Sequence, residues 1–91
     1  MKIEFDPRKD QSNLAKHGVP LALGGQILLD PTRVVLIDDR FDYGETRLIA
    51  IGAYKGQVFT AVYTMRGDIY RFFSVRKAHG KKKARYERDG V

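Results

Sequence analysis

Between Thr46 and Val75 the chain makes three strand-like runs divided by two short turn signals, and this stretch constrains the fold more than any other. Thr46–Tyr54 and Gln57–Met65 are joined by Lys55-Gly56. A two-residue connection with glycine closes a tight hairpin, because glycine accepts the positive φ that such turns require. Arg66-Gly67-Asp68, read as a three-residue turn, leads into Ile69–Val75. The result is an antiparallel meander whose faces can be sorted, since side chains alternate along a strand.

The first turn pairs Ala53 with Val58 and Ile49 with Val62, and the second pairs Met65 with Ile69. One face then holds Leu48, Ala50, Phe59, Ala61, Tyr63, Met65, Phe73 and Val75 and predicts the core, with Arg71 as its charged exception. The other holds Arg47, Ile49, Ile51, Thr60, Val62, Thr64, Tyr70, Phe72, Ser74 and Arg76. It reads either as a concave binding surface or as a second, smaller core under a C-terminal helix. A one-residue slip at the second turn would exchange Arg71 for Arg76.

The remaining elements follow from local signals. Lys2–Phe5 reads as a short strand. Asp6 suits a helix N-cap and Pro7 the first helical position, and Gly18 stops the helix after His17. Leu14 is the only large apolar residue of that helix. Pro20 opens a second helix, LALGGQILL, weakened by Gly24 and Gly25 and ended at Asp30-Pro31. Arg33–Ile37 reads as a strand, Asp38–Glu45 as a solvated acidic loop, and a last helix begins near Lys77 or Ala78, is interrupted by Gly80 and runs to Asp89-Gly90. The order β-α-α-β-β-β-β-α predicts an α+β fold in one domain over 1–91, built on a meander of about four strands.

Charge is concentrated. From Ile69 to Tyr86 there are seven Lys or Arg and no acid, so this segment carries the whole excess behind the net charge of +6. Such a patch attracts polyanions, nucleic acid above all; the plainer reading is a solvated basic tail. With so little apolar area, the last helix is expected to be loosely attached. The chain has no cysteine, hence no disulfide and no thiolate metal site. No apolar run approaches a membrane span and residues 1–20 lack a signal-peptide pattern. The expectation is a cytoplasmic protein without membrane contact.

FDPRKDQSNLAKHGV at the N-terminus, LDP at 29–31, GETR at 44–47, IG at 51–52, YTMRG at 63–67 and RFFSVRKA at 71–78 together resemble the BrnT toxins of bacterial type II toxin–antitoxin pairs. The resemblance covers nearly the whole chain. It implies a RelE-like fold, a ribonuclease that arrests translation, and a BrnA-like antitoxin with a ribbon-helix-helix domain. Operator DNA would be bound only through that antitoxin. The family's last helix commonly carries an acid-Arg pair followed by Tyr; here Lys82 and Lys83 stand in those places, with Tyr86 retained.

RNA can be cut without metal by attack of a 2′-OH on the adjacent phosphate, given a base, an acid and cations around the transition state. Arg47, Arg71 and Arg76 lie on strands and suit the cationic role, because guanidinium matches phosphate oxygens two at a time; otherwise they make surface salt bridges. A general acid or base should titrate near neutral pH, and imidazole is the side chain that does so unperturbed, which singles out His17 and His79. His17, at a helix C-terminus, is expected to have its protonated form favoured, and either catalyses or caps. His79, amid cations, suits a base. Tyr86 either stacks on a nucleobase or acts as an acid, or it packs the helix onto the sheet. Lys9, Lys16, Lys77, Lys81, Lys82, Lys83 and Arg85 are candidate RNA contacts. No metal constellation, Walker motif or dinucleotide motif is present, and no cofactor is expected. A non-catalytic RNA- or ribosome-binding module would use the same patch, as would a protein that merely docks an acidic antitoxin.

Overall fold

Both hairpins close, but the second closes one residue tighter than its sequence suggested. The computed structural model describes residues 1–90. The elements are β1 (Lys2–Glu4), α1 (Pro7–His17), α2 (Leu23–Ile27), β2 (Val34–Asp38), β3 (Arg47–Tyr54), β4 (Gln57–Arg66), β5 (Ile69–Lys77) and α3 (Gly80–Asp89). The strands form one mixed sheet in the order β1-β5-β4-β3-β2. β1 runs parallel to β5, and every other pair is antiparallel. The fold is therefore α+β, as expected, with the meander extended at one edge by the N-terminal strand.

The β3–β4 turn has both central residues at positive φ, 50° for Lys55 and 77° for Gly56, and sets the expected pairs Ala53 with Val58 and Ile49 with Val62. The β4–β5 turn uses only Gly67-Asp68, so Arg66 faces Ile69 and Met65 faces Tyr70. A β-bulge between Val62 and Tyr63 then places Tyr63 opposite Phe72 but Val62 opposite Ser74. The extra residue is Phe73. The expected core list is corrected accordingly. Phe72 is fully buried with Tyr63 and Val75, while Phe73 turns to the other face, Met65 is 39% exposed, and Arg71 leaves the core face. The tighter turn shifts the start of β5 by one position, which exchanges the faces of Arg71, Phe72 and Phe73, and the inserted residue shifts the strand back, so that Val75 and Arg76 keep their expected faces.

α1 and α2 cover the first face. Asp6 caps α1 by accepting from the Arg8 N–H, and Gly18 ends it at φ 73°. The side chain that α1 buries is polar. Asn13 donates to the Val75 carbonyl at 2.7 Å and accepts from the Val75 N–H at 3.1 Å. β1 stops level with Arg71, so beyond it β5 has no strand neighbour on that side, and Asn13 stands in for one. α2 is shorter than the expected helix, at five residues. Gly24 lies so close to Phe72 that a Cβ there would sit 2.3 Å from the ring. Glycine at this point costs helix propensity and permits contact with the sheet.

α3 crosses the opposite face over β2, β3 and β4 and covers a second cluster of Ile49, Ile51 and Ala78, with Val34, Leu36, Val58, Val62 and Tyr86 packed against it. β5 runs on to Lys77, so α3 starts later than expected. Gly80 is its first residue, at φ 53°, rather than a break within it. The helix has an anchor beyond apolar contact. The Tyr86 hydroxyl donates to Asp30 at 2.6 Å and lies 2.9 Å from the Thr32 hydroxyl. Burial alone would raise the Asp30 carboxyl, but hydrogen bonds from Tyr86, the Ala53 and Thr32 N–H groups and the Thr32 hydroxyl outweigh it and hold it at about 2.

Candidate nucleic-acid interface

α3 covers only part of the second face, and the β5 side stays open as a cleft of about 400 Å³. Its lining follows from the bulge. Phe73 and Ser74, which alternation would place on opposite faces, both border it. Ile49, Val62 and Thr60 form the rest of the sheet floor, Lys9 of α1 stands at one side, and His79 and Lys82 come from the start of α3.

Arg47 is held in an unusual manner. It opens β3, opposite Asp38 of β2. Its guanidinium carbon lies 4.0 Å from the Tyr43 ring centre and 3.9 Å from that of Phe73. The Lys9 ammonium lies over the same Phe73 ring at 5.0 Å. No carboxylate among the described residues pairs with Arg47, and its Nε is buried without a hydrogen-bond partner. Two aromatic faces fix the cation in place while leaving hydrogen-bonding capacity unspent, a suitable arrangement for an arriving anion.

Among the described residues Asp38 is the only acid bordering the cleft, and it is already engaged. The expected solvated role of this residue is corrected. It is buried, accepts from Arg40 at 2.8 and 2.9 Å and from the Tyr43 hydroxyl at 3.2 Å. The Arg40 hydrogen bond is the main reason its carboxyl lies at about 2, burial opposing. Asp38 thus positions Arg40 and one of the two rings that hold Arg47. Against it stand Lys9, Arg40, Arg47, Arg76, Lys77 and Lys82, so the cleft is strongly cationic.

The structure brings together Arg47, Arg76, Lys9, Lys77 and Lys82 of the sequence-predicted residues, with His79 among them. Lys82 adds a further cation. His17 and Lys16 border an adjoining groove that shares Lys9, Phe73 and Ser74 with the cleft. Burial, then the charges of Arg76 and Lys16, lower the His17 pKa. This reverses the direction expected from the helix terminus: lost hydration and nearby cations prevail. Arg71 does not reach the cleft; it makes an ion pair with Glu4. Tyr86 does not border it either, its hydroxyl being committed to Asp30 and Thr32. Lys81 and Arg85 border a separate groove beside Leu36, and Lys83 is exposed on α3. Sequence reasoning missed Tyr43, Phe73 and Asp38 as site residues. The adjacent aromatics Phe72-Phe73 were the available signal, since two successive core-type residues break strand alternation.

The family model described as the ribonuclease toxin BrnT of type II toxin–antitoxin systems matches residues 5–82. That span includes every cleft residue named above. No curated protein matches the chain.

Proposed function

The chain belongs to the BrnT family of ribonuclease toxins of type II toxin–antitoxin systems, and on that premise we propose that the cationic cleft is its RNA-cleaving site. The observation that carries this reading is Arg47, held between aromatic rings with its Nε unpartnered, in a cleft whose one acid among the described residues is already neutralised by Arg40. Arg47 and Arg76 bind the non-bridging oxygens of the scissile phosphate. The 2′-oxygen attacks phosphorus, the bond to the 5′-oxygen breaks, and a cyclic phosphate and a free 5′-hydroxyl result. Charge accumulates on the phosphoryl oxygens in the transition state, where fixed guanidinium groups stabilise it most.

His79 is the imidazole in the cleft and exchanges protons with the attacking and leaving oxygens. His17, kept neutral near pH 7 by burial and by its cationic neighbours, borders the path of the strand next to the cleft. Lys9, Lys77 and Lys82 take neighbouring phosphates. Among the described residues no three His, Cys, Asp or Glu side chains come together, and the reaction is written here without a metal. Cleavage of cellular RNA would arrest translation in the cytoplasm. Type II systems supply a protein antitoxin, here a BrnA-like ribbon-helix-helix protein through which operator DNA is bound. Among the described residues no helix is long and apolar enough to cross a membrane.

The test is cleavage of a single-stranded RNA in EDTA. Products ending in a 2′,3′-cyclic phosphate are expected, with binding that weakens by about 0.7 log units per log unit of salt for each phosphate contact. Cleavage that requires added magnesium contradicts the mechanism. Salt-dependent binding without cleavage in any condition favours the non-catalytic RNA-binding module.

A further inference from the structure

β2 is an edge strand, paired with β3 on one side only. Its two faces differ in a way that describes a partner. Val34 and Leu36 face α3 and pack on the second core, while Val35 and Ile37 pair with Ala50 and Leu48 and so point to the opposite side of the sheet. That side of β2 is uncovered: Val35 is 44% and Ile37 69% exposed. On the α3 side a groove of about 390 Å³ runs between Leu36 and Lys81, Lys82, Arg85 and Arg88 of the helix. An unpaired row of backbone groups, an apolar overhang and a basic groove thus meet along one strand.

We propose that this edge receives an extended acidic segment of a protein partner as an added strand. Residues of a strand alternate between the faces of a sheet. Every second residue of the arriving segment would lie beside the α3 cations and should be acidic. The intervening ones would lie beside Val35 and Ile37 and should be apolar. Backbone hydrogen bonds supply affinity and the alternation supplies specificity. A second copy of this chain is the competing occupant of any exposed edge. Here it would bring α3 cations against α3 cations, so charge selects an acidic partner. The inference takes from the proposed function only the expectation of a protein partner, and it locates that partner beside the RNA-cleaving cleft, with which its groove shares Lys82.

The probe is a labelled ten-residue peptide alternating glutamate and valine, titrated into the full chain and followed by fluorescence anisotropy. Saturable binding is expected, weakened at least about tenfold by the Lys81→Glu, Arg85→Glu double variant, a change of about 1.4 kcal/mol. Ile37→Asp should abolish it and leave RNA cleavage unchanged. N-methylation at one set of alternate peptide positions should eliminate binding, and at the other set should not, because only one edge of the peptide pairs with β2. Absence of saturable binding overturns the proposal. So does equal tolerance of both N-methylated peptides, which indicates adsorption by charge alone. Self-association of the chain that Ile37→Asp disrupts overturns it too, in favour of a second copy. None of these readings depends on whether the chain cleaves RNA.

Discussion

Phe72 and Phe73 are neighbours of one residue type on one strand, yet the fold gives them opposite work. Phe72 is fully buried beneath Gly24, in the core that α1 and α2 close. Phe73, inserted by the bulge, faces the open cleft and carries Arg47 and Lys9 over its ring. The faces they belong to differ in the same way. The first is sealed by apolar contact. The second is sealed only where α3 lies on it, and before the start of α3 it presents cations. Burial sets the stability of the first region, and electrostatic preorganisation sets the chemistry of the second.

The largest expected effect separates these two residues. Phe72→Ala should destabilise the domain by about 3–5 kcal/mol, because it removes a buried ring and leaves a cavity. Phe73→Ala should cost less than about 1 kcal/mol in urea unfolding while lowering RNA cleavage at least about tenfold, since Arg47 loses one of its two supports. Equal destabilisation by both variants would break the comparison. Asn13→Ala comes next, at about 1–3 kcal/mol, because the Val75 N–H and carbonyl would be left buried without partners.

Acid should then act on the anchored part of the second face. The Asp30 carboxyl lies at about 2 in the folded chain, below its ordinary 3.8. A depressed carboxyl contributes stability that is complete above the ordinary value and is lost as pH falls through the folded one. Discounted for its partial exposure, the contribution is on the order of 1–2 kcal/mol. Asp38, also at about 2, titrates in the same window. Unfolding midpoints should therefore drop between pH 4 and pH 2, and Tyr86→Phe should reduce that drop by removing the hydrogen bond that favours ionised Asp30. An unchanged acid profile would show that this bond does not hold α3. The smallest effect belongs to Gly80→Ala, about 1 kcal/mol from forcing a side chain into left-handed backbone, read by thermal unfolding.

Much of this was legible in the sequence where the signal is local. Asp6-Pro7 and Gly18 bound α1, and Lys55-Gly56 sets the first hairpin, because caps and turns depend on adjacent residues. Arg47 and Arg76 share the expected face, but at Arg76 this outcome depends on two shifts that cancel, the tighter second turn and the bulge. The two-residue length of the second turn was not legible, so Phe72 and Phe73 were exchanged, and neither was the bulge. Nor was Asn13, whose partner lies 62 residues away and whose polar side chain gives no sign of burial. Gly80 was read by propensity, and Tyr86 stood between ligand contact and packing of the helix; tertiary geometry decides both: one accepts a left-handed start to α3, the other packs on the second core and reaches Asp30.

The central claim is that the cleft cations cleave RNA and the rest of the fold holds them in position. Single-turnover cleavage by Arg76→Ala, with thermal unfolding of the same preparation and growth of bacteria expressing it, tests this most directly. The account predicts an unfolding midpoint close to that of the unsubstituted chain, cleavage slowed by about 100-fold or more as expected for loss of a transition-state cation, and growth arrest by the unsubstituted chain that Arg76→Ala relieves. A folded Arg76→Ala protein that cleaves RNA and arrests growth as the unsubstituted chain does would contradict it.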